Sequence, residues 1–188
     1  MILSLDTATG TSVALVDSGT VIAVAEHPDT RGHAEVIGNL LQSVLHEHRH
    51  SVTQIVVGMG PGPFTGLRVG VAAAHAASVA LDVPLLGVSS HDGIGCNTEG
   101  DVLVTSDVRR RERAWSRYID GSLVAGPSLA PADEVPSFDG AQRIDIEMVH
   151  AVDLALAVFS GRAKLVDEPI YLRDADAVPG AQGKRVSQ

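Results

Sequence analysis

The sequence is poor in cysteine, in aromatics and in positive charge, and each shortage excludes something. A single cysteine, Cys96, among 188 residues rules out an internal disulfide framework and any cysteine-based zinc centre. One Trp, two Tyr and three Phe leave few rings to stack on bases. An excess of acidic side chains, 23 against 14 basic ones, gives a net charge of −9, which repels phosphate backbones at long range. A stand-alone nucleic-acid binder is therefore not expected. The nearest thing to a membrane span, Val69 to Leu81, is broken by His75 and Ser78 and is short for a bilayer. Met1-Ile-Leu-Ser-Leu-Asp6 has no basic segment before its apolar stretch, so it reads as a strand and not as a signal peptide. The expectation is a soluble, cytoplasmic protein with no membrane contact.

What is present is an apolar fraction of 45%, enough for a sizeable core. Ile2 to Asp6, Thr11 to Val16 and Val21 to Ala25 read as an antiparallel meander, with Asp17-Ser18-Gly19 as a tight turn. From His33 the period changes. Ile37, Leu40, Leu41, Val44 and Leu45 form one stripe of a helix. Ile55 to Val57 is a short buried strand, and Gly58 to Gly66 is a loop dense in Gly and Pro. Leu67 to Leu81 is a helix with almost no polar face, expected to be buried on nearly every side in an assembly, with part of it left exposed on an isolated subunit. Leu85 to Val88, Val102 to Thr105 and Ala114 to Ile119 are further strands. Residues 121–143 read as loop with short strands, Glu147 to Phe159 as a helix, and Ile170 to Leu172 as a late strand. This order predicts an α/β chain with a mixed sheet and two subdomains. The expected division is a first lobe over residues 1–98, a shorter second lobe over 99–178 and a flexible tail over 179–188.

The segment richest in information is Gly58-Met59-Gly60-Pro61-Gly62-Pro63-Phe64-Thr65-Gly66-Leu67-Arg68-Val69-Gly70. It joins a buried strand to a helix N-terminus, a place where phosphates are often held. It is not a Walker loop, because no Gly-Lys-Ser/Thr follows at the required offset. It also misses the dinucleotide fingerprint, since Gly66 falls one residue late after Gly60 and Gly62. Pro61 and Pro63 remove backbone donors. The plainer reading, a rigid turn that lets strand and helix pack closely, is favoured over a phosphate cradle.

Gly60 to Gly70 resembles the Gly-Pro-Gly-Ser-Phe-Thr-Gly-Leu-Arg-(Ile/Val)-Gly signature of TsaB proteins, accessory subunits of bacterial tRNA threonylcarbamoyladenosine biosynthesis. Leu3-Ser4-Leu5-Asp6-Thr7, His33-Ala34-Glu35, Asp107-Val108-Arg109-Arg110 and Pro169-Ile170-Tyr171-Leu172-Arg173 resemble further family segments in the same order. Three positions depart from the pattern. Pro63 stands where the family has Ser, Arg111 replaces a Gly after the paired arginines, and the second lobe is short.

The resemblance implies an actin-like, Hsp70-like or sugar-kinase-like (RNase H-like) fold of two lobes. It also implies a non-catalytic scaffold without cofactor that pairs with the homologous catalytic subunit TsaD, joined by the ATPase TsaE. The complex would move a threonylcarbamoyl group onto the adenosine beside the tRNA anticodon, with tRNA reached only through the complex. TsaD is expected to hold a metal with a His-x-x-x-His pair. Here that place reads His91-Asp92-Gly93-Ile94-Gly95, so His91 lacks its second ligand and no metal site is expected.

The candidate interface with TsaD, and with a second copy when TsaD is absent, is Ile37, Leu41, Val44, Leu67, Val71, Ala73, Ala74 and Ala77. The motif loop contributes Gly60, Pro61, Gly62, Thr65, Gly66, Arg68 and Gly70. His46, His48 and His50 could bind a metal, but a solvated helix end explains them. The arginines between Asp107 and Arg113 could face RNA, but a solvated strand pair with Asp107 and Glu112 as partners is favoured. Asp6 reads as a strand-end carboxylate capping the next turn. Two alternatives stay open: a small nucleotide-dependent phosphotransferase using the 60–66 loop, and a peptidase, against which the missing second histidine speaks.

Overall fold

The structure is a computed structural model that describes residues 1–173. Its first sheet holds β1 (Ile2–Asp6), β2 (Thr11–Asp17), β3 (Thr20–His27), β4 (Gln54–Gly58) and β5 (Leu85–Val88), in the order β3-β2-β1-β4-β5. The pairings of β1 to β3 are antiparallel, and β1, β4 and β5 run parallel. Ser18 and Gly19 both take positive φ, the two-residue turn that suits strand twist. β4 lies inside the sheet with Ile55, Val56 and Val57 fully buried, which is why it reads as one continuous apolar run.

Helices α1 (His33–Leu45) and α2 (Phe64–Leu81) cover one face of this sheet. Their core joins Leu3, Leu5, Val13, Leu15, Ile55 and Val57 to Ile37, Val44 and Ala74. The other face carries Ile2 and Val56 and packs on α4 (Ala151–Phe159), whose Leu154 and Ala157 also meet the second sheet. That sheet has the order β8-β7-β6-β9, with β6 at Asp101–Asp107, β7 at Glu112–Ile119, β8 at Ser122–Pro131 and β9 at Gln142–Ile146. The one-turn α3 (Asp92–Gly95) sits against α4 and the start of the second sheet. Strands before residue 98 make one sheet and strands after it the other, but α4 returns from the second half to the first sheet.

Three elements differ from the sequence reading. Residues 121–143 hold two strands, one of them the ten-residue β8. Its Ser, Ala, Gly and Pro have little strand preference, and the strand is organised by its partner: Asp120 and Gly121, both at positive φ, turn β7 straight into it. The helix expected from Glu147 starts at Ala151, because residues 142–146 extend β9 alongside β6. Ile170 to Leu172 is not a strand, although the Ile170 amide donates to the Met59 carbonyl at 2.7 Å. The expected tail lies outside the described residues.

α2 is exposed over more of its surface than its apolar sequence suggests, as a helix that leaves part of itself free on an isolated subunit would be. Only a narrow stripe of it, Gly66, Leu67, Gly70 and Ala74, is buried. The opposite stripe, with Arg68, Ala72, His75, Ala76, Val79 and Ala80, faces solvent, and Val79 is 83% exposed. The helix spans 18 residues, and by length and composition it could cross a membrane, which the shorter Val69–Leu81 run did not suggest. Its inner stripe nonetheless forms a wall of the core.

Candidate functional site

The motif loop is built for close approach. A Cβ on Gly62 would come within 2.9 Å of the Ala8 backbone, and one on Gly66 within 2.7 Å of the Thr7 carbonyl. A Cβ on Gly70 would overlap the Thr7 hydroxyl, which donates to the Gly66 carbonyl at 2.8 Å. These glycines let the first turns of α2 lie directly on the end of β1. Gly70→Ala is therefore expected to destabilise the protein by about 2 kcal/mol through overpacking, a fall in Tm of roughly 5 °C for a chain of this size. The same change at Gly38 of α1, where an added methyl meets nothing within 4 Å, should stabilise by about 0.5–1 kcal/mol. Thermal unfolding of the two variants measures the contrast.

Beneath the loop runs a line of buried polar groups. Asp6 is fully buried and accepts hydrogen bonds from the Ser90 hydroxyl at 2.6 Å and the Ala8 amide at 2.7 Å. Ser90 in turn accepts the Gly60 amide at 3.1 Å, and its own amide donates to the Gly60 carbonyl at 2.7 Å. Desolvation pushes the Asp6 carboxyl up to about 6, against the opposing pull of those two bonds. Asp6 thus caps its turn, as expected, and also fixes the motif loop through Ser90.

Further along lies His91, fully buried, with Nδ1 at 2.9 Å from the Ser116 hydroxyl and Nε2 at 2.9 Å from the Ser106 hydroxyl. Burial holds the imidazole down at about 3, so it is neutral at pH 7. Next to it Asp92 accepts the Tyr118 hydroxyl at 2.6 Å, and burial raises both groups above their ordinary values. Cys96 is buried too, its thiol pushed up to about 12 by desolvation, which makes it unreactive.

As a phosphate site the loop is weak. Of Gly60, Pro61, Gly62 and Pro63, two have no amide proton and the Gly60 amide is already bonded to Ser90. The first turn of α2 is covered by a stack in which the Tyr171 ring lies 4.8 Å from that of Phe64 and the Arg68 guanidinium sits 3.7 Å over Phe64. A cleft of about 560 Å³ opens beside the loop between the two sheets, lined by Thr9, Thr30, Pro63, Asp107, Arg109 and Glu147.

The expected interface residues divide. Ile37, Val44, Leu67 and Ala74 are buried in the core. Leu41, Val71, Ala73 and Ala77 are half-buried and pack against that core. The apolar residues that face outward are their neighbours Ala72, Ala76, Val79 and Ala80. Arg68 and His75, seven residues apart on that outward stripe, were the signal in the sequence that tells its outside from its inside. In the motif, Thr65 and Arg68 are exposed, while Gly60, Pro61, Gly66 and Gly70 are buried and Gly62 is half-buried.

Within the arginine cluster, Arg113 has an acidic partner that is neither of the two expected, and arginines outside the cluster add further pairs. Arg113 meets Asp145 at 2.7 Å, Arg117 takes Asp101 through two nitrogens at 2.9 and 2.5 Å, and Arg143 reaches Asp145 at 3.0 Å. Glu112 pairs instead with Arg173, and Asp107 accepts the Arg109 amide at 2.6 Å. Arg111, where the family signature has Gly, sits at φ +59° in the left-handed region, so a glycine would be relaxed there. His46 is exposed and lies 3.9 Å from Glu47. Among the described residues no three metal-binding side chains cluster.

Residues 21–163 match the family model of TsaD, described as tRNA N6-adenosine threonylcarbamoyltransferase. An uncharacterized protein of Mycobacterium tuberculosis is 41% identical over 140 residues, 71% of this chain and 66% of that protein. The Escherichia coli tRNA threonylcarbamoyladenosine biosynthesis protein TsaB is 36% identical over 126 residues, 62% of this chain and 54% of that protein. The chain thus spans less than two thirds of the length of either relative. A Pseudomonas aeruginosa structure described as similar to peptidase YeaZ superposes with a TM-score of 0.75 at 26% identity, covering 92% of this chain and 99% of that one. The fold is α/β with mixed sheets, of the type of the YeaZ structures on which it superposes.

Proposed function

The chain belongs to the TsaD family as a TsaB/YeaZ-type protein, and from that premise we propose that it is the non-catalytic subunit that binds and supports TsaD. Its role is in threonylcarbamoyladenosine formation on tRNA, with the outer faces of α2 and α1 as the docking surface. TsaE joins the assembly, tRNA is reached through the complex, and the same face pairs two copies when TsaD is absent.

The observation that carries this reading is the outward stripe of α2, where Ala72, Ala76, Val79 and Ala80 are exposed on an otherwise folded lobe. Contiguous exposed apolar surface marks a partner site, and small side chains let a second helix come close. The occupant we propose is the segment of TsaD that corresponds to α2, because this chain matches the TsaD family model. The engaged nitrogens of His91 support a non-catalytic role, because both would have to leave buried serine hydroxyls to ligate anything. The test is co-expression with the TsaD of the same genome followed by size-exclusion chromatography. A single species holding both chains is expected, and separate elution would reject the reading.

The phosphotransferase alternative requires nucleotide at the 60–66 loop. Calorimetric titration of the isolated chain with ATP and magnesium should show no micromolar binding, and such binding would favour that alternative.

A further inference from the structure

The last described residues form a strap that crosses from the first sheet to the second. Leaving α4, the strap donates the Val166 amide to the Gly87 carbonyl at 2.9 Å, and Leu165 bridges Val88 on the open side of β5. The Ile170 amide then reaches the Met59 carbonyl at 2.7 Å, and the Tyr171 ring lies against Phe64 at the start of α2. Arg173 ends the run on the other side of the cleft. Its guanidinium pairs with Glu112 and donates to the Arg109 carbonyl at 3.1 Å, both in the hairpin that joins β6 to β7.

That hairpin is strained. Arg109, Arg110 and Arg111 all take left-handed φ, at +69°, +58° and +59°, a conformation that crowds the Cβ of an L-residue against the following carbonyl oxygen. Consecutive residues stay there only where the surroundings fix them. The surroundings do so from several sides, and the Ala132 amide just after β8 donates to the Arg111 carbonyl at 2.8 Å. The Arg109 guanidinium donates to Thr30 Oγ1 at 3.1 Å in the connection before α1, and Arg173 holds the Arg109 carbonyl and Glu112 from the strap. Two-lobed folds with a central cleft commonly hinge about it. Here both rims of the cleft are tied.

We propose that the strap over residues 163–173 is a latch, with Arg173 as its positioning residue, that fixes the β6–β7 hairpin against the first sheet and holds the cleft at one width. The Arg173–Glu112 pair is more than a solvated contact, because both side chains are about two thirds buried, at 29% and 31% exposure. Released, the hairpin would relax its left-handed turn and open locally without unfolding the sheets. The inference concerns the isolated chain and does not depend on the partner assignment.

Hydrogen–deuterium exchange of the full chain tests it. In Arg173→Ala, the amides of residues 107–113 should exchange at least tenfold faster, while those of α4 keep their wild-type rate. Arg173→Lys, which keeps the charge but loses the planar fork, should fall between. Glu112→Ala breaks the latch from the hairpin side and should give the same pattern, so it decides the matter should Arg173→Ala fail to fold. Exchange at 107–113 within twofold of wild type in the folded variants, or acceleration spread equally through α4, would overturn the latch.

Discussion

Ala72→Glu and Ala76→Glu are each expected to weaken association with TsaD at least 100-fold while leaving the isolated chain folded, with Tm unchanged to about 1 °C. Both alanines point outward from α2, so a carboxylate there meets only water in the free subunit. In a helix-on-helix contact the same carboxylate would be buried without a partner, which costs about 3–5 kcal/mol, and each 1.4 kcal/mol is a factor of ten in affinity. The neighbouring positions should behave differently. Ala73 and Ala77 pack against the core, so a glutamate there should lower Tm by several degrees whether or not a partner is present. Titration calorimetry with TsaD, read beside thermal unfolding, separates the two groups. Wild-type affinity in Ala72→Glu and Ala76→Glu would remove α2 from the interface.

A second large effect concerns pH. His91 is held at about 3 by burial, against an ordinary value of 6.5. Its stability contribution is complete above pH 6.5 and is lost as pH falls toward 3, at about 1.4 kcal/mol per pH unit. Asp6 runs the other way. Its carboxyl is raised from 3.8 to about 6, so its contribution is complete below pH 3.8 and is lost as pH rises through 6. Between pH 4 and 6 the unfolded chain carries the extra proton at His91 and the folded chain carries it at Asp6. The two slopes cancel there. Asp6→Asn should therefore lose about 2–3 kcal/mol more than wild type between pH 6 and pH 4. His91→Gln should gain by a comparable amount relative to wild type over the same interval. Urea unfolding at pH 6, 5 and 4 measures both, and parallel pH profiles for all three proteins would refute the assignment. The two groups flank the motif loop, one through Ser90 and the other through the second sheet. Asp6 steadies the strand end on which α2 is seated, and His91 ties α3 to β6 and β7.

Most of the fold was legible because the sequence spells it locally. Ser18-Gly19 announces its turn, β4 its burial, and the stripe from Ile37 to Leu45 its helix. Residues 121–143 read as loop with short strands, and the full ten-residue length of β8 was not legible because its own residues favour loop. Such a strand exists only through pairing with β7, and pairing is not a local property. The motif glycines were legible as close packing, and the structure supplies the contacts with Ala8 and Thr7. The hardest thing to read was orientation. Ala72, Ala73, Ala76 and Ala77 are alike in sequence, and tertiary placement separates those facing solvent from those packed against the core. The pairing of Glu112 with Arg173 was equally hidden, since it joins segments 61 residues apart in sequence.

The central claim, that this chain supports threonylcarbamoyladenosine formation by docking TsaD, is tested most directly in cells depleted of it. Total tRNA nucleosides would be measured by mass spectrometry, with the wild-type chain or Ala76→Glu supplied in trans. The account predicts that threonylcarbamoyladenosine falls on depletion, returns with the wild-type chain and stays low with Ala76→Glu. Unchanged threonylcarbamoyladenosine in depleted cells would contradict it.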